Sequence, residues 1–134
     1  PIPVYGKGNM TRAILSLPDA MNCYELIMNK RSDPGEHRVI NQFDEGKSVS
    51  DMANIVSEIS TKMGYTPKIK NYKNPRNERE LHFYEPESKK LKKLGYKREK
   101  LFEDIIGEMF TDLEPVKNRI EKYKKVIPPT TQWR

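Results

Sequence analysis

Apolar residues recur along much of this chain with the period of a helix, and the runs are punctuated by capping residues and glycines. Val49, Met52, Val56, Ile59 and Met63 mark one helical face. Ser48-Val49-Ser50-Asp51 supplies an N-cap pattern ahead of it and Gly64 a stop behind it. Ala20, Cys23, Tyr24 and Ile27 share the same spacing, which predicts an amphipathic helix over residues 21–29, opened by Pro18-Asp19. A third helix is predicted over residues 98–113, with Leu101, Phe102, Ile105, Ile106, Met109, Phe110 and Leu113 on its apolar face. Pro115 breaks or restarts it, and Val116, Ile120 and Tyr123 continue the stripe. A short helix, Ser88 to Leu94, is closed by Gly95.

Other stretches carry strand character. Val4-Tyr5 reads as a short strand ending in Gly6-Lys7-Gly8, and an apolar run follows from Ala13 to Leu17. Arg38-Val39-Ile40-Asn41-Gln42-Phe43 predicts a buried strand, and residues 67–72 alternate as an exposed or edge strand. Asp33-Pro34-Gly35 is the turn of the loop over residues 30–36. The order β-α-β-α-β argues for an α/β arrangement. Residues 74–80 form a charged loop, Leu81-His82-Phe83-Tyr84 is a brief apolar segment, and the proline-rich tail carries Trp133.

The 134 residues suffice for one domain, residues 1–134, with a modest core. The net charge of +6 permits phosphates, polyanions or acidic partners without choosing among them. A single cysteine, Cys23, rules out an internal disulfide and fits a reducing, cytoplasmic location. It falls within a helical apolar set and reads as a core side chain. No apolar run reaches the ~20 residues of a membrane span, and no signal-peptide pattern is present. The first residue is proline, so the chain is expected to be processed or cut from something longer.

Candidate chemistry is sparse. There is no glycine-rich dinucleotide fingerprint and no Walker loop. His37 and His82 lie on separate segments beside no cysteine pair, so no metal site is expected. Tyr96-Lys97-Arg98-Glu99-Lys100 matches a Tyr-x-x-x-Lys spacing, but in a lysine-rich stretch that reads as chance. Two arginine loops remain. Gly6-Lys7-Gly8 runs on to Thr11-Arg12, a pattern that suits either a phosphate grip or a basic surface turn. Asn74-Pro75-Arg76 with Glu78 suits either a nucleotide diphosphate, cation to phosphate and carboxylate to ribose, or an exposed ion-pair loop.

Taken in order, Val4-Tyr5-Gly6-Lys7-Gly8, Thr11-Arg12, Arg38-Val39-Ile40-Asn41-Gln42-Phe43, Asn74-Pro75-Arg76 with Glu78, and His82-Phe83-Tyr84 resemble the C-terminal part of the UDP-sulfoquinovose synthases. These form an NAD-dependent branch of the extended short-chain dehydrogenase/reductase (nucleotide-sugar epimerase/dehydratase) superfamily. The resemblance implies a C-terminal, UDP-sugar-binding region of short strands and amphipathic helices, beside an N-terminal Rossmann domain that holds NAD and the catalytic residues. On that basis Val4, Tyr5 and Gly6 are expected to face the uracil. Thr11 belongs to the substrate loop, and Arg12 is expected at the diphosphate or ribose. Arg76 is expected to clamp the diphosphate and Glu78 to take a ribose hydroxyl. No catalytic, cofactor-binding or metal residue carries over, because the cofactor half is absent, and the chain alone is expected to be inactive. The family reaction joins sulfite to UDP-glucose through a 4-keto intermediate, as part of sulfolipid or sulfosugar biosynthesis. Expected partners are UDP-glucose or a related UDP-sugar and the missing Rossmann half, in cis or as a separate chain; a homodimer is allowed. Asn9-Met10 and the run from Ala13 to Pro18 depart from the family pattern. Two alternatives stand beside this reading: another UDP-sugar epimerase or dehydratase, and a basic helical module for nucleic acid built on Lys89, Lys90, Lys92, Lys93, Lys97 and Lys100.

Overall fold

A computed structural model describes residues 1–74, 87–124 and 126. It is mixed α/β, with short strands and several helices. Strand β1 (Ile2–Tyr5) pairs in parallel with β4 (Ile69–Tyr72), Ile2 opposite Ile69 and Tyr5 opposite Tyr72. The ladder extends past both strands: Ile2 N–H donates to the Lys68 carbonyl at 2.8 Å and Gly6 N–H to the Tyr72 carbonyl at 2.9 Å. Strand β2 (Thr11–Ile14) pairs antiparallel with β3 (Glu45–Ser48) in a second two-stranded sheet. Helix α1 (Leu17–Asn29) joins β2 to the segment before β3, and α2 (Val49–Lys62) runs from β3 toward β4, packing on β1, β3 and β4. Then follow α3 (Lys89–Lys93), α4 (Phe102–Leu113), a 3-10 turn (Glu114–Val116) and α5 (Lys117–Tyr123).

The predicted caps are present. Ser48 Oγ accepts the Asp51 N–H at 3.0 Å, and the Asp51 carboxylate accepts the Ser48 N–H at 3.3 Å, a reciprocal capping box. Gly64, at φ +86°, follows the C-cap of α2 in the left-handed conformation that glycine adopts without cost. Helix α1 begins earlier than the apolar periodicity alone suggests, because Ser16 Oγ accepts the Asp19 N–H at 3.0 Å and Pro18 suits the first turn. Pro115 does interrupt the last helical run, in the 3-10 turn between α4 and α5. The end of α2 is tied to that turn by the Tyr65 hydroxyl, which donates to Glu114 and accepts from Lys117 Nζ at 3.3 Å.

Two expectations are corrected. Residues 38–43 form no regular element and no strand pairing among the described residues, and Val39 is 59% exposed. Strand β3 starts later, at Glu45. The segment is held instead by individual contacts: Arg38 donates to the Lys30 carbonyl and pairs with Glu36, while Ile40 packs on the core. The predicted helix from Arg98 begins only at Phe102. Arg98 pairs with Asp44, the Glu99 N–H donates to Asp19 Oδ1 at 3.0 Å, and the Leu101 N–H to Asp104 Oδ2 at 3.3 Å. These partners hold residues 98–101 out of the helix.

The buried apolar side chains among the described residues are Val4, Cys23, Ala53, Leu91 and Tyr96. Cys23, Leu91 and Tyr96 pack together under Leu15, Leu26 and Ile40, so Cys23 is the core residue its position predicts. Burial, with Asp19 and Asp44 nearby, pushes its thiol above the ordinary range. Asp19 is 1% exposed and satisfied by Ser16 Oγ–H at 2.6 Å and the Glu99 N–H. It caps α1 and at the same time anchors the approach to α4.

Candidate functional site

The parallel pairing of β1 and β4 sets the geometry of the candidate site. Their carboxyl ends lie side by side, at Tyr5-Gly6 and Tyr72. From one leaves the Gly6-to-Arg12 segment, and from the other the segment that leads through Asn74 to Arg76. Arg76 and Glu78 lie outside the described residues. Carboxyl ends of parallel strands are where α/β folds gather ligand-binding loops.

Tyr5 and Tyr72 set their rings 5.7 Å apart and tilted by 33°, with Lys70 Nζ 5.1 Å from the Tyr72 ring. Such a tilted pair is a favourable aromatic contact, with the Lys70 cation over the Tyr72 ring. Tyr72 was missed in the sequence because nothing in a run of lysines and asparagines marks which residue ends opposite Tyr5. Val4 is 2% exposed, so its side chain belongs to the interior and only its backbone is near the strand end. Gly6 has both backbone groups in use: its N–H goes to Tyr72 and its carbonyl accepts from Asn71 Nδ2 at 3.3 Å.

The Gly6-to-Met10 turn wraps the start of α2. The Ser50 N–H donates to the Gly8 carbonyl at 2.8 Å, and the Val49 N–H to the Met10 carbonyl at 3.1 Å. The first amides of the helix are therefore occupied by the turn, with Asp51 N–H bound to Ser48. Gly8 sits at φ +71°, and a Cβ there would lie 2.2 Å from Ser50 Oγ and 2.9 Å from Val4 Cγ1. The glycine is required by close packing of turn on helix. Thr11 and Arg12 open β2, opposite Ser48 and Lys47. Lys47 is neutralised by Glu45 at 3.2 Å and Glu103 at 3.6 Å. The Arg12 side chain is exposed and makes no hydrogen bond or ion pair among the described residues. The structure thus joins Val4, Tyr5 and Gly6 to the Tyr72 end of β4. It sets Thr11 and Arg12 on the neighbouring sheet, across the turn.

Larger cavities lie elsewhere. One of about 730 Å³ opens between α2 and α4, and one of about 490 Å³ lies among Leu15, Leu17, Phe102, Ile106 and Met109. Neither is lined by Tyr5, Gly6, Thr11 or Arg12. Both carry charged side chains, Lys100 and Glu108 among them, so volume and charge alone do not single out the strand end; what marks it is the position of the loops at adjacent carboxyl ends. No group of three His, Cys, Asp or Glu side chains among the described residues is arranged to hold a metal ion. Nor is any helix among them long and apolar enough to cross a membrane.

The resemblance assigns the dinucleotide to a domain outside this chain, and the Tyr96-to-Lys100 spacing offers no acid–base pair for it. Tyr96 is 7% exposed, and burial raises its hydroxyl above the ordinary range. Lys100 is hydrogen-bonded to Glu108 on α4, which raises its ammonium pKa. A tyrosine shut in the core and a lysine committed elsewhere are no acid–base pair, so no reaction step is assigned to them. The basic stretch on α3 is also partly committed: Lys89 pairs with Glu87, and Lys90 Nζ donates to the Val39 carbonyl at 3.1 Å.

Short strands and capped helices define a mixed α/β chain. No family model matches it. Over all 134 residues it is 41% identical to the UDP-sulfoquinovose synthase of Sulfolobus acidocaldarius, of which it covers 34%. It is 35% identical, again over its whole length, to the chloroplastic UDP-sulfoquinovose synthase of Spinacia oleracea, of which it covers 27%. The resemblance read from the residues therefore holds: the chain is homologous throughout to a part of these enzymes. It spans about a third or less of the length of the curated relatives it matches.

Proposed function

We propose that the chain is the UDP-sugar-binding portion of an enzyme like UDP-sulfoquinovose synthase, acting on UDP-glucose and sulfite. The observation that carries this reading is the parallel β1–β4 pairing, from whose adjacent carboxyl ends both arginine segments depart. Tyr5 and Tyr72 offer an aromatic edge for the uracil. Arg12, exposed at the start of β2, would supply a cation for a phosphate oxygen, and Arg76 with Glu78 would divide between diphosphate and ribose. NAD chemistry belongs to the portion of the enzyme outside this chain, which supplies the oxidation and return of hydride when the dinucleotide is bound. The compartment is the cytoplasm in this reading. Another UDP-sugar epimerase or dehydratase would use the same strand-end grip, and product analysis with and without sulfite separates the two.

The test is calorimetric titration of UDP-glucose into the full-length enzyme. Arg12→Ala and Arg76→Ala should each weaken binding by ~1–3 kcal/mol, the value of a lost charge-assisted hydrogen bond. An unchanged dissociation constant in both variants would remove the proposed grip.

A further inference from the structure

Helix α1 carries a second apolar stripe on its outward side, opposite the Cys23 and Leu26 that face the core. Its buried positions are Asp19 and Cys23, whereas Leu17, Met21, Tyr24 and Met28 are 75%, 60%, 54% and 70% exposed. These four fall at spacings of four, three and four, which aligns them in one stripe down the helix. A helix that had found all its neighbours would present this stripe to a core. Together the four side chains leave on the order of 500 Å² of apolar surface in water, at the upper end of what a lone monomer exposes.

We propose that this stripe is the docking face for the polypeptide that makes up the remainder of the enzyme. The inference rests on the reading of the chain as one part of a longer enzyme, and is independent of which sugar that enzyme binds. Three observations favour this occupant. The relatives have about two-thirds or more of their length beyond the region this chain matches, so a second body of protein is available to cover it. The described core holds only five buried apolar residues, against fourteen large apolar side chains left exposed, which is the balance of a part and not of a whole. Roughly 500 Å² on one side matches an interface between domains of one chain, and falls short of the ~800 Å² per partner of a standard stable dimer.

Methionine oxidation tests the proposal in the full-length polypeptide. Peroxide is applied to the native protein, and oxidation at Met21, Met28 and Met63 is followed by mass spectrometry. Met63, at the end of α2, is 42% exposed and serves as internal reference. Coverage of the stripe predicts that Met21 and Met28 oxidise at least ~10-fold more slowly than Met63, although they are the more exposed in this chain. That protection should persist on dilution from micromolar to nanomolar protein. Oxidation of Met21 and Met28 as fast as Met63 would overturn the proposal. Protection lost on dilution would overturn it too, since the occupant would then be a second copy. UDP-glucose affinity does not enter this readout, so failure of the docking face and failure of the sugar-binding reading are separable.

Discussion

Gly8→Ala is the substitution whose cost the structure defines best. Two penalties combine. At φ +71° an alanine occupies the left-handed region, at about 1–2 kcal/mol. Its Cβ would also stand 2.2 Å from Ser50 Oγ and 2.9 Å from Val4 Cγ1. Ser50 heads α2 and Val4 is buried, so neither yields freely, and overpacking of this kind costs about 1–3 kcal/mol. The expected loss is therefore about 2–5 kcal/mol in urea unfolding. Gly64→Ala is the control, because Gly64 has φ +86° and no atom within 4 Å of the added Cβ. It should show the conformational penalty alone. The difference between the two variants isolates the clash. The double variant Gly8→Ala/Ser50→Ala should recover part of that difference, since the Oγ contact is then gone. Equal destabilisation by Gly8→Ala and Gly64→Ala, with no recovery in the double variant, would refute the packing argument.

Removal of the capping box by Ser48→Ala should cost about 1 kcal/mol in urea unfolding, with helix content falling at the start of α2. Cys23 carries a pH prediction. Its thiol pKa is raised in the folded state, mainly by burial, so the unfolded chain loses that proton first as pH rises. The contribution is fully present below the ordinary value of 9.0 and is lost as pH climbs above it toward the folded value. Stability should therefore fall above that pH more steeply than in Cys23→Ala, measured by urea midpoints from pH 7 to 10.5; parallel curves would exclude the effect.

Much of this architecture was legible in the residues, and what escaped did so for physical reasons. Caps and stops are local chemistry, so Ser48, Asp51 and Gly64 could be read at sight. Asp19 was read as a helix-start carboxylate, and it is one. That it is also buried under the Glu99 amide depends on a contact 80 residues away, which no local pattern encodes. Arg38-to-Phe43 has the composition of a buried strand, but strand formation needs a partner edge, and among the described residues none is offered. Of the candidate site, Gly6 is marked by its turn and Tyr5 by the family resemblance. Tyr72 is marked by neither, because its relation to Tyr5 is a matter of register between two strands 67 residues apart. Gly8 was found for the wrong reason: it first reads as room for a phosphate, and the room is taken by Ser50.

The turn from Gly6 to Met10 has a further consequence for what this chain can tolerate. Two of its carbonyls, at Gly8 and Met10, are matched one to one with the amides of Ser50 and Val49, while Gly6 is fastened to Tyr72. Inserting or deleting a residue between these points would carry a carbonyl off its amide and push a side chain into the space that Gly8 leaves. The turn is thus fixed in length as well as in shape. Around Gly35, by contrast, an added Cβ meets nothing within 4 Å, and the turn is closed on itself, by the Glu36 N–H to the Asp33 carbonyl at 2.9 Å.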